Sequence, residues 1–551
     1  MHRLTQATLA VMLVGMALVG PASAAPADAV VGDGTPGSCT EAAFSAAIAH
    51  SGLVTFNCGG PATIVLTVPR VTNVPLTIDG GGVITLTGNL GTRFLTLGPS
   101  AVLTLDNIVL TRFNGGATSG GAINNQGGTL VLNYASILQS QTDPGELGGA
   151  IASTGPVMLN HSKLKGNRSG SGGAVFLQSP AQLTIVEGHM DHNSAAGNGG
   201  ALYLTPGTSA DIEPGPFFPA NFIGNSAKSG GAIFNQGGVI NLLGGDFDDN
   251  HALTVTSIIS GYGGAIDDQG LLSVSASLFQ YNEARNGGAV YVGGAGPTAT
   301  AAISDTDFLG NDAVNFGGAL YTDVATATVS LEAVGFDGNQ AFLGGGVART
   351  NAQLSVSRAS FTGNQAQFGG GLFAQGQPDP SSAGYVEVHD STFAANMAGD
   401  KLSGALDNSA LLDLRNVTVK DNQGGLYDEN GAVGRLQSTV LDNGDFHNCS
   451  GDGTLPASGG HNLATDLTCN LSAGAGDQAG VAAGLGPLTT LFPLVITDFY
   501  MPLAGSPLIH NGGPGCSPTD QRYAKRVGAC DIGAVEFGGL IPQLYVPMIQ
   551  R

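Results

Sequence analysis

Two pairs of adjacent aspartates are the residues best suited to chemistry in this sequence. Asp248 and Asp249 lie in the segment FDDN, and Asp267 and Asp268 lie in AIDDQ, further along the chain. If the fold brings the two pairs together, their carboxylates would suit a calcium ion or the carboxylate pair of a retaining glycosidase. Aspartates in solvated turns give the same pattern, so a structural role stays open.

The remaining polar residues form no set that would support catalysis. Asp305 and Asp307 add acid without a base, and the histidines are scattered over positions that fit polar surface or turns. No nucleophile elbow, phosphate-binding loop, zinc-ligand spacing or cofactor fingerprint occurs. The sequence therefore names no catalytic residue, no cofactor-binding residue and no metal ligand. Calcium is the one ion that the paired aspartates would suit.

A repeat sets the positions of these residues. A glycine phrase of the form GGAI recurs at intervals of 24 to 34 residues, a period that fits one turn of a solenoid. A second phrase, with phenylalanine three residues before asparagine, keeps the same period, and alternating apolar runs lie between the two. The glycine phrases begin at Gly120, Gly148, Gly172, Gly199, Gly230, Gly263, Gly287 and Gly317, with degenerate copies at Gly344, Gly369 and Ser403.

This pattern predicts an all-β protein built as a parallel β-helix. Equivalent strands would stack about 4.8 Å apart, so that apolar side chains pack on their own copies and each asparagine donates its amide to the next. The glycine pair would supply positive φ and close backbone approach at one corner of every coil. The repeat marks and the less regular turns before Gly120 predict about 13 to 15 coils, in a rod roughly 60 to 70 Å long.

Equal positions in adjacent coils are neighbours, so a catalytic face would appear as charged residues on one line. On the line two places beyond the apolar end of each glycine phrase, only Asp268 and Arg349 are charged. They are three coils apart, which corresponds to roughly 14 Å. This line predicts no catalytic cluster.

One convincing helix precedes the repeats, in SCTEAAFSAAIAH at residues 38–50. Ser38 and Glu41 have the spacing of a capping box. The helix would cover the exposed first edge of the β-helix. Its apolar stripe is formed by Phe44, Ala47 and Ile48.

The N-terminus indicates an exported protein. His2 and Arg3 precede an apolar run, and small residues at 22–24 complete the pattern of a secretory signal peptide over residues 1–24, with an uncleaved anchor as the alternative. No later stretch is apolar over the length that a membrane helix needs. We expect a protein without a transmembrane helix after signal cleavage, secreted or held at the cell surface.

Six cysteines fit an oxidising compartment, where disulfides are favoured over metal binding or a reactive thiol. Six cysteines allow fifteen pairings, of which bridging between nearest neighbours is the favoured one. The candidate disulfides are Cys39 with Cys58, Cys449 with Cys469, and Cys516 with Cys530.

The charge balance restricts the partners. The chain has 41 acidic and 19 basic residues and a formal net charge of -22. Nucleic acid and anionic membranes are recognised by clustered lysine and arginine, so the composition argues against both. The acidic excess suits solubility or cations.

Three parts of the sequence resemble surface-protein families. The GGAI and F-x-x-N-x-A phrases resemble the repeats of the chlamydial polymorphic outer membrane proteins and of related bacterial right-handed β-helix surface proteins. SCTEAAFSAAI is similar to the CSLREA segment of such secreted proteins, although its wording departs. GGHNL, LAGSPLIHNGGPGC and DQRYAKRVGACDIGAVE resemble the choice-of-anchor Q module, except that Tyr523 stands where glycine is usual and His510 where aspartate is frequent. The resemblance implies an exported, cell-surface-associated right-handed β-helix and carries no known active site.

The chain therefore divides into five predicted parts. The last part, LIPQLYVPMIQR with its flanking residues, would be a sorting tag or a last strand that closes the core. The parts are a signal peptide (1–24), an N-terminal cap (25–60), the β-helix repeats (61–445), a disulfide-stapled C-terminal module (446–537) and a tail (538–551).

The favoured function is a non-catalytic, adhesin-like binding or structural rod whose polar face meets extracellular polysaccharide or other cell-surface components. The alternative is a polysaccharide lyase or glycoside hydrolase of β-helix type that uses the paired aspartates, and a third is an inert envelope component. A compact patch of acids beside a base would favour the enzyme. A long uniform polar face would favour the rod.

Overall fold

The structure, a computed structural model, describes residues 28–541 except 51, 217, 254–260, 295–298, 377–384, 430–431, 454 and 491–496. The predicted signal peptide and residues 542–551 of the predicted tail lie outside the described residues. The described residues form an all-β, right-handed parallel β-helix of about 15 coils, which confirms the predicted fold class.

A typical coil contains four short strands. The coil that follows Gly264 runs through Ile266–Asp268, Leu271–Ser275, Leu278–Gln280 and Glu283–Asn286 before the next glycine pair begins. Each strand pairs in parallel with its equivalents in the coils before and after. No coil can bury its own apolar face, so stacking of the coils creates the single core.

The first strand of each coil belongs to a sheet of 15 strands, which we call the short-strand sheet. Its strands are Arg70–Thr72, Leu95–Leu97, Ile123–Asn125, Ile151–Ser153, Val175–Leu177, Leu202–Leu204, Ile233–Asn235, Ile266–Asp268, Val290–Val292, Leu320–Thr322, Val347–Thr350, Leu372–Gln375, Leu406–Ser409, Leu426–Asp428 and Cys449–Gly451.

The second and third strands of each coil form two columns of one 32-stranded sheet, the long sheet, since the long strands of the early coils bridge both columns. Its strands are Ala29–Val31, Gly52–Phe56, Ala62–Val65, Leu76–Thr87, Val102–Thr111, Thr129–Asn133, Ser136–Leu138, Val157–Asn160, Lys163–Lys165, Gln182–Val186, His189–Asp191, Ser209–Glu213, Ala220–Ile223, Val239–Leu243, Gly245–Asp248, Leu271–Ser275, Leu278–Gln280, Thr300–Ser304, Asp307–Leu309, Thr328–Glu332, Gly335–Asp337, Gln353–Ser357, Ser360–Thr362, Tyr385–His389, Thr392–Ala394, Leu411–Arg415, Thr418–Lys420, Val433–Gln437, Val440–Asp442, Ala457–Ser458, Leu463–Ala464 and Gln478–Ala479.

The remaining elements are short. Strands before the glycine corner form a six-stranded column, followed by a two-stranded one, and a separate antiparallel pair lies near the C-terminus. These strands are Arg168–Ser169, Ser194–Ala195, Ser226–Ala227, His251–Ala252, Glu283–Asn286 and Asp312–Phe316, then Gln365–Ala366 and Met397–Ala398, and finally Leu485–Thr489 with Phe499–Pro502. The helices are Glu41–Ala47 and the 3₁₀ turn Ala473–Ala475.

A continuous ladder of buried asparagines runs through the coils, as the sequence predicted. Each side-chain Nδ2 donates to the Oδ1 of the next asparagine over 2.8 to 3.1 Å. In the middle of the ladder, Asn282 Nδ2 also donates to the carbonyl of Phe247, and Asn282 N donates to Asn311 Oδ1. The ladder consists of Asn167, Asn193, Asn225, Asn250, Asn282, Asn311, Asn339, Asn364, Asn396, Asn422, Asn443 and Asn448.

Beside the ladder, phenylalanines stack ring on ring with centroids 4.5 to 5.1 Å apart. This spacing repeats the separation of neighbouring parallel strands. Identical side chains in identical conformations therefore fill the core without gaps. The stack contains Phe222, Phe247, Phe279, Phe308, Phe336, Phe361 and Phe393.

The glycine pair is required at the corner of each coil. Gly263 has φ +61°, and a Cβ there would lie 2.0 Å from the carbonyl oxygen of Ile266. A Cβ on Gly264 would lie 2.1 Å from the carbonyl oxygen of Gly288 in the next coil. Any larger residue would separate the coils, which explains why the phrase recurs.

The N-terminal helix packs on the first coils through buried Phe44 and Ala47, but its cap differs from the prediction. The helix spans Glu41–Ala47 rather than 38–50, and Thr40 is the N-cap, since its Oγ1 accepts from Ala43 N. The predicted Ser38–Glu41 capping box is wrong, because the Glu41 carboxylate instead accepts from Thr67 N and the Arg70 guanidinium. Glu41 thus ties the helix to the β-helix.

The three predicted disulfides are confirmed: Cys39–Cys58, Cys449–Cys469 and Cys516–Cys530. Parallel pairing of coil strands continues beyond the predicted boundary at residue 445, through Leu463–Ala464 to Gln478–Ala479. Disulfide Cys449–Cys469 therefore links the last coils themselves.

Residues 512–537, which we call the C-terminal strap, fold back along the side of the β-helix. The Gln521 side chain accepts from Thr392 Oγ1 and donates to the carbonyl of Ala359. The buried Arg526 guanidinium contacts Asp390 at 2.7 Å. The strap therefore crosses several coils and covers their turns. Among the described residues, no helix has the length and apolar character needed to cross a membrane.

Replacing one rung of the asparagine ladder should destabilise the protein far more than replacing an exposed asparagine. Asn311→Ala leaves the N–H groups of Asn282 without an acceptor inside the core, and we expect a loss of about 2–4 kcal/mol in the free energy of unfolding. Asn241→Ala, on an exposed position whose amide contacts Asp211, should cost less than about 0.5 kcal/mol. Urea denaturation of both variants checks this, and equal losses would contradict the role of the ladder.

Candidate binding surface

The structure places the two aspartate pairs on different sheets. Asp248 ends a strand of the long sheet, where its register partners are Ile223 and Gln280. Asp267 lies on the short-strand sheet between Phe234 and Tyr291. The fold therefore does not assemble the four candidate carboxylates into one site.

Asp249 lies in a surface turn with φ +56°. Its carboxylate contacts His251 Nε2 at 3.0 Å, and His251 Nδ1 contacts Glu283 at 3.2 Å. Half-buried Asp248 has its pKa raised by burial and by the neighbouring Asp249. These contacts link adjacent turns at the surface.

Asp267 and Asp268 point to opposite sides of their strand. Asp268 faces the core, is fully buried, and accepts from Asn235 Nδ2 at 2.6 Å, and burial raises its pKa to about 7. Asp267 faces outward but is only 1% exposed, and burial raises its pKa to about 8. Because one carboxyl faces the core and the other faces out, the two cannot ligate the same ion or act on the same bond.

A group that has metal-ligand character lies at the C-terminal strap, where His510, just before the strap, approaches Asp531 and Glu536. Their carboxylates already accept hydrogen bonds from the backbone N–H groups of Phe537 and Val527. Glu536 also pairs with Arg526. These contacts hold the strap in its fold.

Aromatic side chains form the most extensive candidate surface, which the sequence search missed. The middle residue of each short-sheet strand faces outward, and in consecutive coils this residue is often a phenylalanine or tyrosine. Ring centroids of neighbours are 5.0 to 5.7 Å apart. We call this row the aromatic layer: Phe176, Tyr203, Phe234, Tyr291, Tyr321 and Phe373.

A second row of residues packs over part of this layer. Each residue of this row directly precedes the glycine pair of its coil. Tyr262 packs on Tyr291 with centroids 4.4 Å apart, and Phe316 packs on Tyr321 at 5.0 Å. Phe316 and Phe368 each form a parallel β-bridge with Leu343, which lies in the coil between them. The tight glycine bend brings the two rows together at Tyr291 and Tyr321. All members of the aromatic layer except half-buried Tyr203 are buried.

The outer rings of this corner reach solvent. Phe342, one residue before Leu343 of the covering row, packs against Phe368 with ring centroids 6.3 Å apart. Tyr262 is 37% exposed and Phe342 is 53% exposed, while Phe316 and Phe368 are partly exposed. We call these four residues the aromatic shoulder. At about 4.8 Å per coil, the shoulder extends roughly 19 Å along the rod.

Acidic groups accompany the aromatic rows. Asp323 accepts from the Tyr291 hydroxyl at 2.8 Å, and burial raises the pKa of Asp323. Asp267 lies in the row of the aromatic layer, and so does Asp407, whose pKa is raised to about 8 by burial and by Glu429 and other nearby acids. The surface thus combines apolar ring faces with hydrogen-bonding carboxyl groups and hydroxyls.

One sequence signal could have revealed this surface. The phrases GGAVF, GGALY, GGAIF and GGAVY carry an aromatic residue directly after the apolar position. The line of equal positions that carries Asp268 and Arg349 lies one residue further along each strand, and this line faces the core. Shifting the register by one residue moves to the outer face.

Comparisons with known proteins agree with the repeat architecture. Residues 219–236 match the model of the Chlamydia polymorphic membrane protein repeat. The probable autotransporter YfaL of Escherichia coli (strain K12) is 28% identical over 182 residues, which cover 32% of this chain and 13% of that protein. This chain therefore matches a small part of that relative's length. The similarity of the cap to CSLREA and of the C-terminal part to choice-of-anchor Q stays a prediction.

The buried carboxyls predict that stability falls as the pH rises. The pKa values of Asp267, Asp268, Asp407 and Asp428, raised by burial to about 8, 7, 8 and 6, exceed the unfolded value near 4. The folded state therefore binds more protons, and the free energy of unfolding decreases as the pH rises from about 4, near the unfolded pKa, to about 8. The melting temperature should be highest near pH 5 and lower at pH 9.

Asp268→Asn keeps the shape of the side chain and removes its charge. This variant should match the wild type at pH 5 and exceed it at pH 9 by about 1–3 kcal/mol. Asp143→Asn, on an exposed turn, is the matched control and should follow the wild-type profile. A wild-type melting temperature that rises between pH 5 and pH 9 would contradict the direction of these shifts.

Proposed function

We propose that this protein is an exported or surface-held, non-catalytic binding rod that retains extracellular polysaccharide on its aromatic shoulder. The observation that carries the proposal is the group of exposed and partly exposed rings at one corner in four of five consecutive coils. Contiguous exposed apolar patches on proteins often mark interaction surfaces. The stacked coils present the rings along the rod, which suits a linear polymer.

The chemistry of the shoulder favours a sugar polymer. Flat ring faces pack on the C–H faces of sugars, and the hydroxyl of exposed Tyr262 can hydrogen-bond sugar hydroxyls. The net charge of -22 opposes binding of anionic polymers. Neutral glycans are therefore the expected ligands.

The comparisons support an extracellular setting. The match to the Chlamydia polymorphic membrane protein repeat and the similarity to a probable autotransporter both point to surface or secreted β-helix proteins. The three disulfides agree with an oxidising compartment. The separation of the paired aspartates supports binding without catalysis.

Retention on immobilised polysaccharides tests the proposal. The wild-type protein is passed over neutral polymers such as xylan, β-glucan and cellulose, and over acidic pectate and alginate. Phe342→Ala and Tyr262→Ala should each weaken retention on a neutral polymer by about tenfold, since a well-placed aromatic contact contributes about 1–2 kcal/mol. Tyr134→Ala is the matched control, because Tyr134 is an equally exposed ring at 63% on another part of the β-helix.

Three results would contradict the proposal. If Tyr134→Ala weakens retention as much as Phe342→Ala, or if no neutral polymer is retained, the shoulder is not the binding surface. If mass spectrometry finds oligosaccharides released from any polymer, the rod is not merely a binding protein. Loss of that release in an Asp267→Asn and Asp268→Asn double variant would favour the β-helix carbohydrase instead.

A further inference from the structure

The interior of the β-helix holds an arginine that has no carboxylate partner among the described residues. Arg349 is 0% exposed and is the largest of the fully buried side chains among the described residues. Its Nε donates to the carbonyl of Ala352, and its Nη1 donates to the carbonyl of Gln375 over 2.9 Å. Within the described ranges, no aspartate or glutamate forms an ion pair with this guanidinium.

The guanidinium nevertheless stays charged at neutral pH. Burial lowers the pKa of Arg349 only to about 10. An uncompensated charge in a protein core is strongly unfavourable, and cores hold such groups when a counter-charge is present. The backbone carbonyls satisfy two donors but supply no negative charge.

Two buried polar atoms without hydrogen-bond partners belong to register partners in this part of the core. Arg349 Nη2 is buried without a hydrogen-bond partner, and so is Thr322 Oγ1. Thr322 and Arg349 are register partners on the adjacent strands Leu320–Thr322 and Val347–Thr350. Both side chains belong to the inward row, about 4.8 Å apart along the rod, and both can donate a hydrogen bond.

We propose that a small inorganic anion of the chloride class binds inside the β-helix between Arg349 and Thr322. The anion accepts a hydrogen bond from Arg349 Nη2 and another from the Thr322 hydroxyl, and it supplies the missing negative charge. On the opposite side of Arg349, its register partner in the next coil is Ala374, whose side chain is small. The site is independent of the proposed polysaccharide surface.

Anion-dependent stability tests this site. The melting temperature of the whole protein is measured in sodium chloride, sodium bromide and sodium gluconate at equal ionic strength. A bound halide should raise the melting temperature by about 1 °C or more for each tenfold increase in halide over gluconate. Thr322→Val keeps the shape of the side chain and removes its hydroxyl. About tenfold more halide should then be needed for the same rise in melting temperature.

Arg349→Met should abolish the halide dependence, and Arg285→Met, on an exposed position, should leave it unchanged. Crystals grown in bromide should show an anomalous peak beside Arg349 Nη2, which tests the site even if Arg349→Met fails to fold. Equal melting temperatures in bromide and gluconate, or bromide crystals without that peak, would overturn the proposal. Halide dependence retained in Arg349→Met would also overturn it, because the ion would then bind elsewhere.

Discussion

Every feature of this molecule depends on identical backbone groups stacking at the spacing of parallel strands. The asparagine ladder shows the constraint most directly, because each amide uses its donors and its acceptor on the coils before and after it. A coil that changed its length at this position would leave buried polar groups unpaired on both sides. The glycine corner imposes the same restriction, since a Cβ on Gly264 would collide with the next coil. Insertions are therefore confined to the turns between strands.

The inside of the β-helix was largely predictable from the sequence. The recurrence of GGAI and F-x-x-N translates directly into neighbours in space, which is why the ladder and the phenylalanine stack followed from spacing. The disulfide pairs lie outside this repeat signal, since bridging between nearest neighbours was only the favoured one of fifteen pairings. The N-terminal cap was less predictable. Ser38 and Glu41 have the spacing of a capping box, but the first coils offer Thr67 and Arg70 to Glu41, and these tertiary contacts outweigh the local signal.

The outside was harder to predict because nothing in the repeat fixes it. A strand alternates its side chains between the two faces, so one step along the sequence separates core-facing Asp268 from outward-facing Asp267. The aromatic shoulder also depends on how sharply the glycine bend folds one row of residues onto another, and no single residue determines that angle. The C-terminal strap, whose contacts join residues far apart in the chain such as Asp390 and Arg526, had no periodic signal at all.

The molecule is a rod with a fixed interior and a variable surface. Polar groups inside must find partners within the stack, whereas outward residues are free to serve recognition. The aromatic layer fills the corner with the protein's own rings, and Tyr262 and Phe342 are exposed at this corner. That arrangement gives a rigid row of apolar contacts on a scaffold whose length is set by coil number.

Hydrogen–deuterium exchange with and without a retained neutral oligosaccharide shows whether the aromatic shoulder is the binding surface. We expect slower exchange on ligand binding in peptides that contain residues 312–316, 340–343 and 366–368, with unchanged exchange around Tyr134 and in the C-terminal strap. Protection confined to the strap or to the turn at Asp248 and Asp249, with none at the shoulder, would contradict it.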